Sequence, residues 1–149
     1  GLPAGRGRVT WPSADPRARP KIRSALMVHD RDARQAVELM RVAVALYRTP
    51  ELSALATPLW PDPRGFDRDD TALAQVRYAT DSGYHPCGTV PMGADDDPGA
   101  AADTFGRVRG VEGLGVGDAS LMPEIPSGNI HLPTLMIGER VGRWLRDAR

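Results

Sequence analysis

The chain has 149 residues, most simply one domain, and at this length a fold removes about 68 to 70% of the unfolded surface from water, so a real core is possible. Its 19 basic and 19 acidic residues balance to zero, which leaves no overall field to gather nucleic acid or an anionic membrane surface. With 16 Gly and 14 Pro, about a fifth of the chain, it should be folded but rich in loops.

The single cysteine, Cys87, has no internal disulfide partner, which favours a reducing, cytoplasmic location. The longest apolar run is VAVAL at 42 to 46, too short for a membrane span, and nothing resembles a signal peptide, so a soluble protein is expected. The first residue is Gly and not Met, which raises the expectation of a piece of a longer chain.

In chain order, Arg8 to Trp11 predicts a short strand, followed by a Ser-Ala-Asp-Pro turn in which Asp15 bonds its own backbone and Pro16 fixes φ. Ile22 to Val28 is ambiguous. Beyond it, Asp30 reads as the cap of a helix whose apolar face is Ala33, Val37, Met40, Val44 and Tyr47, at spacings of four and three, and Thr49-Pro50 ends it.

Residues 58 to 68 hold three prolines and a glycine and read as loop. A second helix fits DDTALAQVRYAT, capped by Asp69 or Asp70, with Ala72, Leu73, Val76 and Ala79 on its apolar side. ADDDPGAAAD at 94 to 103 reads as a solvated loop without an apolar anchor, since three adjacent Asp lack the alternation and tight-turn Gly of a calcium loop.

Two short apolar pieces, RVRGV and GLGVGDAS, lead through LMPEIPSGN to a last helix from about Pro133, with Leu135, Met136, Val141 and Leu145 able to face inward and Arg140, Arg143 and Arg146 near its negative end. Helices and strands mix without a βαβ rhythm. The fold class is therefore α+β, a mixed or antiparallel sheet flanked by helices.

Few residues invite chemistry. Gly115-Val-Gly117 is a fragment of a dinucleotide fingerprint, but LMPEIP after it cannot open the helix that a pyrophosphate needs. His85 and Cys87 would share a strand face, yet a thiol nucleophile lacks an orienting third group there, and a metal site shared with His131 lacks a fourth ligand. No metal is expected. His29 reads as structural or exposed. His85 itself stands in YHPCGTVPMG, on backbone stiffened by Pro86; alone, such a histidine is most simply a satisfied core residue.

Three motifs in order, YHPCGTVPMG, GRVRGVEGLGVGDASLMPEIPSGN and PTLMIGERV, resemble the C-terminal part of the glucose-methanol-choline (GMC) oxidoreductases, flavoenzymes that oxidise alcohols. The opening RGRVTWPSADPRARPKI extends the resemblance over nearly the whole chain. It implies that residues 1–149 are the family's substrate and catalytic domain, that FAD is the cofactor, and that the partners are a small-molecule alcohol and an N-terminal FAD-binding domain whose G-x-G-x-x-G unit is not in this sequence.

By the same resemblance His85 is the active-site imidazole, and counting back from Gly138 places its partner at Asn129. Asp118 and Ala119 would meet the FAD ribityl and phosphate region, with Gly117 where Ala is usual. Asn129, Ile130 and His131 would approach the flavin pyrimidine edge. His131 stands where Asn or Gln is common, and Gly115 replaces a frequent Arg; the first departure leaves that flavin contact open.

The chemistry is consistent with these types. An alcohol carbon gives up hydride readily only as its hydroxyl loses its proton, which an imidazole accepts well near neutral pH, while a carboxamide can only orient or hydrogen-bond. The last helix would turn its positive end toward the electron-rich ring. The expected arrangement has His85 and Asn129 converging on a shared, water-poor hollow. Without the cofactor's main cradle, the segment alone should neither bind FAD tightly nor turn over. A flavin-bound lyase on the same scaffold and a catalytically silent stand-alone module are the alternatives.

Overall fold

The computed structural model describes residues 3–147, which form two compact units, 3–81 and 82–147. The fold is α+β.

In the first unit, β1 (Arg8–Thr10) and β2 (Lys21–Arg23) pair antiparallel, with Val9 opposite Ile22. The connection turns where the sequence says: Asp15 Oδ1 accepts from the Arg17 N–H at 3.0 Å, and the Asp15 carbonyl accepts from Ala18. The ambiguous stretch after Pro20 thus begins as a strand.

Helix α1 (Asp30–Tyr47) buries Ala33, Val37 and Val44, three of the five residues predicted for its inner face, and half-buries Met40 and Tyr47. Its cap is not Asp30. His29 holds the extended backbone of a cap and its Nδ1 accepts from the Arg31 N–H at 3.2 Å, while Asp30 is already helical and places its charge at the positive end of the helix. Asp32, 9% exposed, accepts the N–H groups of Ala4 and Gly5 at 2.8 and 2.7 Å, so the incoming chain is tied to the first turn of α1.

Pro50 ends α1 and opens the one-turn α2 (Pro50–Ser53). The Pro-rich stretch contains a 3₁₀ turn, Pro63–Phe66, whose Asp62 carboxylate accepts from the Arg64 N–H at 2.9 Å. This turn drives Phe66 into the core, where it is 3% exposed among Val37, Val44, Ala72 and Val76. Helix α3 (Asp69–Ala79) supplies Ala72 and Val76, with Leu73 packed beside them. Its cap position is Arg68, whose side chain makes no capping bond to the helix backbone but donates to the Asp70 carboxylate at 3.1 and 2.9 Å; Asp69 and Asp70 lie inside the first turn.

The second unit is built on loops crossed by backbone bonds. Residues 88–92 run beside a 3₁₀ turn, Ala119–Leu121: the N–H groups of Gly88, Val90 and Met92 donate to the carbonyls of Ala119, Ser120 and Leu121 at 3.1, 3.0 and 2.9 Å. Gly106, at φ +80, lets the Val116 N–H reach the Gly106 carbonyl at 2.8 Å; a Cβ there would meet the Val116 carbonyl.

The acidic loop is less solvated than its composition suggests. Ala102 within it is fully buried, and the Arg109 guanidinium donates to the carbonyls of Gly93, Ala94 and Asp97. A cationic fork on three carbonyls replaces the apolar anchor that the sequence lacks.

Helix α4 (His131–Asp147) starts two residues before Pro133, which sits in the first turn, where a missing N–H costs nothing. Its inner stripe is Ile137, Val141 and Trp144, with Ile137 7% exposed against Ala102, Leu121 and Met122. Leu135 and Met136 do not face inward as expected: they are 56% and 60% exposed, and Leu145 is exposed as well. At 100° per residue, Leu135 and Met136 fall away from the 137/141/144 stripe, and one helix carries apolar residues on both sides. Among the described residues, no helix is long and apolar enough to cross a membrane.

Candidate active site

All the residues singled out for chemistry lie in the unit formed by 82–147. His85 is held on both sides by stiff backbone. Tyr84 before it is in the left-handed region, at φ +60, with its N–H donated to Ser82 Oγ at 3.1 Å, and Pro86 after it disfavours helical backbone at His85. Beyond Pro86, the half-buried Cys87 packs against the core of Leu121 and Met122, and Gly88 bonds Ala119. The imidazole therefore projects from a short bridge between a strained tyrosine and an anchored cysteine.

Asn129 meets it from the other side of the sequence. Its Nδ2 lies 3.1 Å from His85 Nε2, and its Oδ1 accepts the N–H of His131, the first residue of α4, at 2.9 Å. The Thr134 N–H and hydroxyl both bond the Ile130 carbonyl, at 2.9 and 2.7 Å, so the first turn of α4 is closed directly beneath the pair. Ile130 is half-buried against the Leu121 core, while the side chain of His131 is exposed.

Asp118 caps the Ala119–Leu121 turn. Its Oδ1 accepts from both the N–H of Ser120, at 2.8 Å, and the Ser120 hydroxyl; Oδ2 takes part in neither bond. These two bonds from Ser120 hold its carboxyl below the usual carboxylate range, with slight burial opposing them. Ser120 was not among the expected site residues, although Asp-x-Ser is the spacing of an Asp that bonds the backbone two residues on.

The expected convergence of His85 and Asn129 is met in distance and not in enclosure. Both residues are exposed, and an apolar groove of about 860 Å³ lies elsewhere in the unit, lined by Phe105, Gly115, Gly117, Val141 and Trp144. Cys87 is drawn into the core. Among the described residues, no group of three His, Cys, Asp or Glu side chains is placed to hold a metal ion.

The donor set suits a flavin. A carboxylate oxygen at Asp118 can take a hydroxyl, a half-buried isoleucine offers apolar contact, and the positive end of a 17-residue helix favours an electron-rich ring.

A family model described as GMC oxidoreductase matches residues 3–138, and the chain belongs to that family. It is 37% identical over 139 residues to an oxygen-dependent choline dehydrogenase of Rhizobium etli (strain CIAT 652), covering 93% of this chain and 25% of the relative. Against the enzyme of the same name from Sinorhizobium medicae (strain WSM419) it is 42% identical over 148 residues, again covering 93% and 25%.

Among solved structures, a formate oxidase variant from Aspergillus oryzae RIB40, studied for modification of its FAD, superposes with a TM-score of 0.85 at 27% identity, over 96% of this chain and 25% of that one. Pyridoxine 4-oxidase from Mesorbium loti gives 0.78 at 27% identity, over 98% and 28%. The chain thus spans about a quarter of the length of the relatives that it matches.

Proposed function

We propose that this chain is the C-terminal catalytic part of an FAD-dependent alcohol oxidoreductase in which His85 takes the hydroxyl proton of the substrate. The observation that carries this reading is the contact between His85 Nε2 and Asn129 Nδ2, 3.1 Å across the head of α4. A basic nitrogen and an amide donor at that separation can both address one small oxygen.

In this reading the hydroxyl proton passes to Nε2, the O–H bond breaking as the N–H bond forms, and the electron pair stays on oxygen. The Asn129 NH₂ then donates to the developing alkoxide, which is worth most in a site that excludes water. FAD, when bound, supplies the acceptor for the carbinol hydride. Asp118, Ala119, Ile130, His131 and Asn129 would hold it, with the positive end of α4 offsetting the charge that the ring gains.

In this proposal the partner is an N-terminal FAD-binding domain, which would cover the exposed His85 and Asn129. Leu132, Leu135 and Met136 are 74%, 56% and 60% exposed on the first turns of α4, an apolar face of the kind a covering domain would bury. Choline is the first alcohol to test, given that the relatives at 36 to 42% identity are choline dehydrogenases.

The test is anaerobic mixing of the FAD-loaded full-length protein with choline, benzyl alcohol and a primary alkanol in turn. Loss of the oxidised flavin absorbance with at least one of them, with release of the aldehyde, is the expected result. An unbleached flavin throughout, with elimination or addition products formed instead, would overturn it in favour of a lyase.

A further inference from the structure

We propose that the first N–H of α4, acting through Asn129, fixes which ring nitrogen of His85 carries the proton of the neutral imidazole. A backbone N–H can only donate, so the Asn129 atom 2.9 Å from the His131 nitrogen must be the carbonyl oxygen, Oδ1. That settles the orientation of the carboxamide, which is otherwise free to be turned end for end. With its oxygen committed to α4, Asn129 presents its NH₂ to His85.

An amide NH₂ is a donor and has no lone pair to lend. At 3.1 Å its partner, Nε2, must then be the acceptor, which places the ring proton on Nδ1. The Nε2 lone pair that accepts from Asn129 is the one a substrate hydroxyl takes over, the Asn129 N–H then turning to the substrate oxygen. The helix terminus thus keeps the base loaded in its proton-accepting form, 44 residues away in sequence from the amide that enforces it.

Two consequences follow. Once Nε2 has taken a proton, Nε2–H and Nδ2–H oppose each other, and Asn129 cannot turn over to help without setting its NH₂ against the His131 N–H. Asn129 therefore offers no acceptor to the new N–H, which is left to donate to the oxygen that lost the proton. A carboxylate at position 129 would invert the arrangement, because it can accept from His131 and from Nε2–H together, and so hold the proton on the nitrogen that has to be bare.

His131 offers a mild way to cut the link. At the first position of a helix proline is well tolerated and removes the N–H, so His131→Pro leaves α4 able to form while the carboxamide loses its anchor. Asn129 and the His131 backbone are positioning elements here, acting through His85.

The inference rests on the proposed site but is read without turnover. In the full-length, FAD-loaded protein with ¹⁵N-labelled histidine rings, and His85 assigned by the signals missing in His85→Gln, the wild type should show an unprotonated Nε2 and a protonated Nδ1. Asn129→Asp should move the proton to Nε2, with kcat falling about 10²–10⁴-fold, the range for a lost general base, and KM changing far less. His131→Pro should give both neutral tautomers.

A wild-type ring protonated on Nε2 would overturn the proposal even if neither variant folds, and so would an Nδ1–H ring that stays unchanged in His131→Pro. If the tautomers behave as stated and no alcohol reduces the flavin, the functional reading fails and this one stands.

Discussion

Asn129 and His85 touch at 3.1 Å, yet only Asn129 is held from both ends: its carboxamide spans from the imidazole to the head of α4. The histidine depends instead on its own backbone, set between a left-handed Tyr84 and Pro86. Position is thus supplied to one partner by hydrogen bonds and to the other by torsion.

That difference predicts how position 84 responds to substitution. A tyrosine at φ +60 bears the left-handed penalty of about 1–2 kcal/mol. Tyr84→Gly removes the penalty and adds unfolded-chain entropy of about 0.5–1 kcal/mol, so thermal denaturation should show it close to wild type. Tyr84→Val, β-branched in a region that such residues avoid, should lose about 1–3 kcal/mol. A valine variant as stable as the glycine one would show that the left-handed turn is not held.

The two cores should respond separately in kind and alike in size. Phe66 is 3% exposed and Leu121 1% exposed, each the bulky centre of its own unit. Phe66→Ala should cost about 3–5 kcal/mol and Leu121→Ala about 2–5 kcal/mol by denaturant titration. Hydrogen exchange should report the first loss within 3–81 and the second within 82–147, including the amides of Gly88 and Val90 that bond the 119–121 turn. A loss under 1 kcal/mol at either site would mean that its side chain is not packed as described.

Asp118 gives a pH signature. The bonds from Ser120 lower its folded pKa below the unfolded value near 3.9, so its stabilisation is fully present above that value and is lost as pH falls through the folded pKa. Asp118→Ala should leave neutral stability lower by about 0.5–2 kcal/mol, the ordinary worth of such a cap, and flatten the acid limb of the stability profile below pH about 4. An acid limb identical to wild type would remove the assignment.

Much of the first unit is legible in the sequence. The inner faces of α1 and α3 follow from apolar residues at spacings of three and four, because a helix must bury one stripe. Phe66 was not readable: a lone aromatic among prolines has no period, and only the Asp62-capped turn aims it inward. The cap of α1 fell to His29 because His29 and Asp30 both carry a side-chain acceptor, and backbone torsion, not residue preference, chose between them. On α4, apolar residues on both sides left the buried stripe undetermined until Ile137 met Leu121. The pairing of His85 with Asn129 came from resemblance to a family, since no periodicity links positions 44 apart. The enclosure expected for the pair is not seen within 82–147; in the proposed reading it would come from a facing domain, of which no pattern in these residues speaks.

The proposed dependence on a further domain is tested by titration. The 149-residue chain alone, mixed with FAD, should bind more weakly than micromolar, since Asp118 and the α4 terminus offer only part of a cradle. Micromolar or tighter binding would show that these residues suffice.

The most direct measurement is the rate of anaerobic flavin reduction by choline, or by whichever alcohol bleaches the flavin, in the full-length FAD-loaded protein and its His85→Ala variant. If His85 takes the hydroxyl proton, the limiting rate should fall about 10²–10⁴-fold while the bound flavin spectrum stays that of the wild type. A variant that reduces its flavin at the wild-type rate would contradict the account.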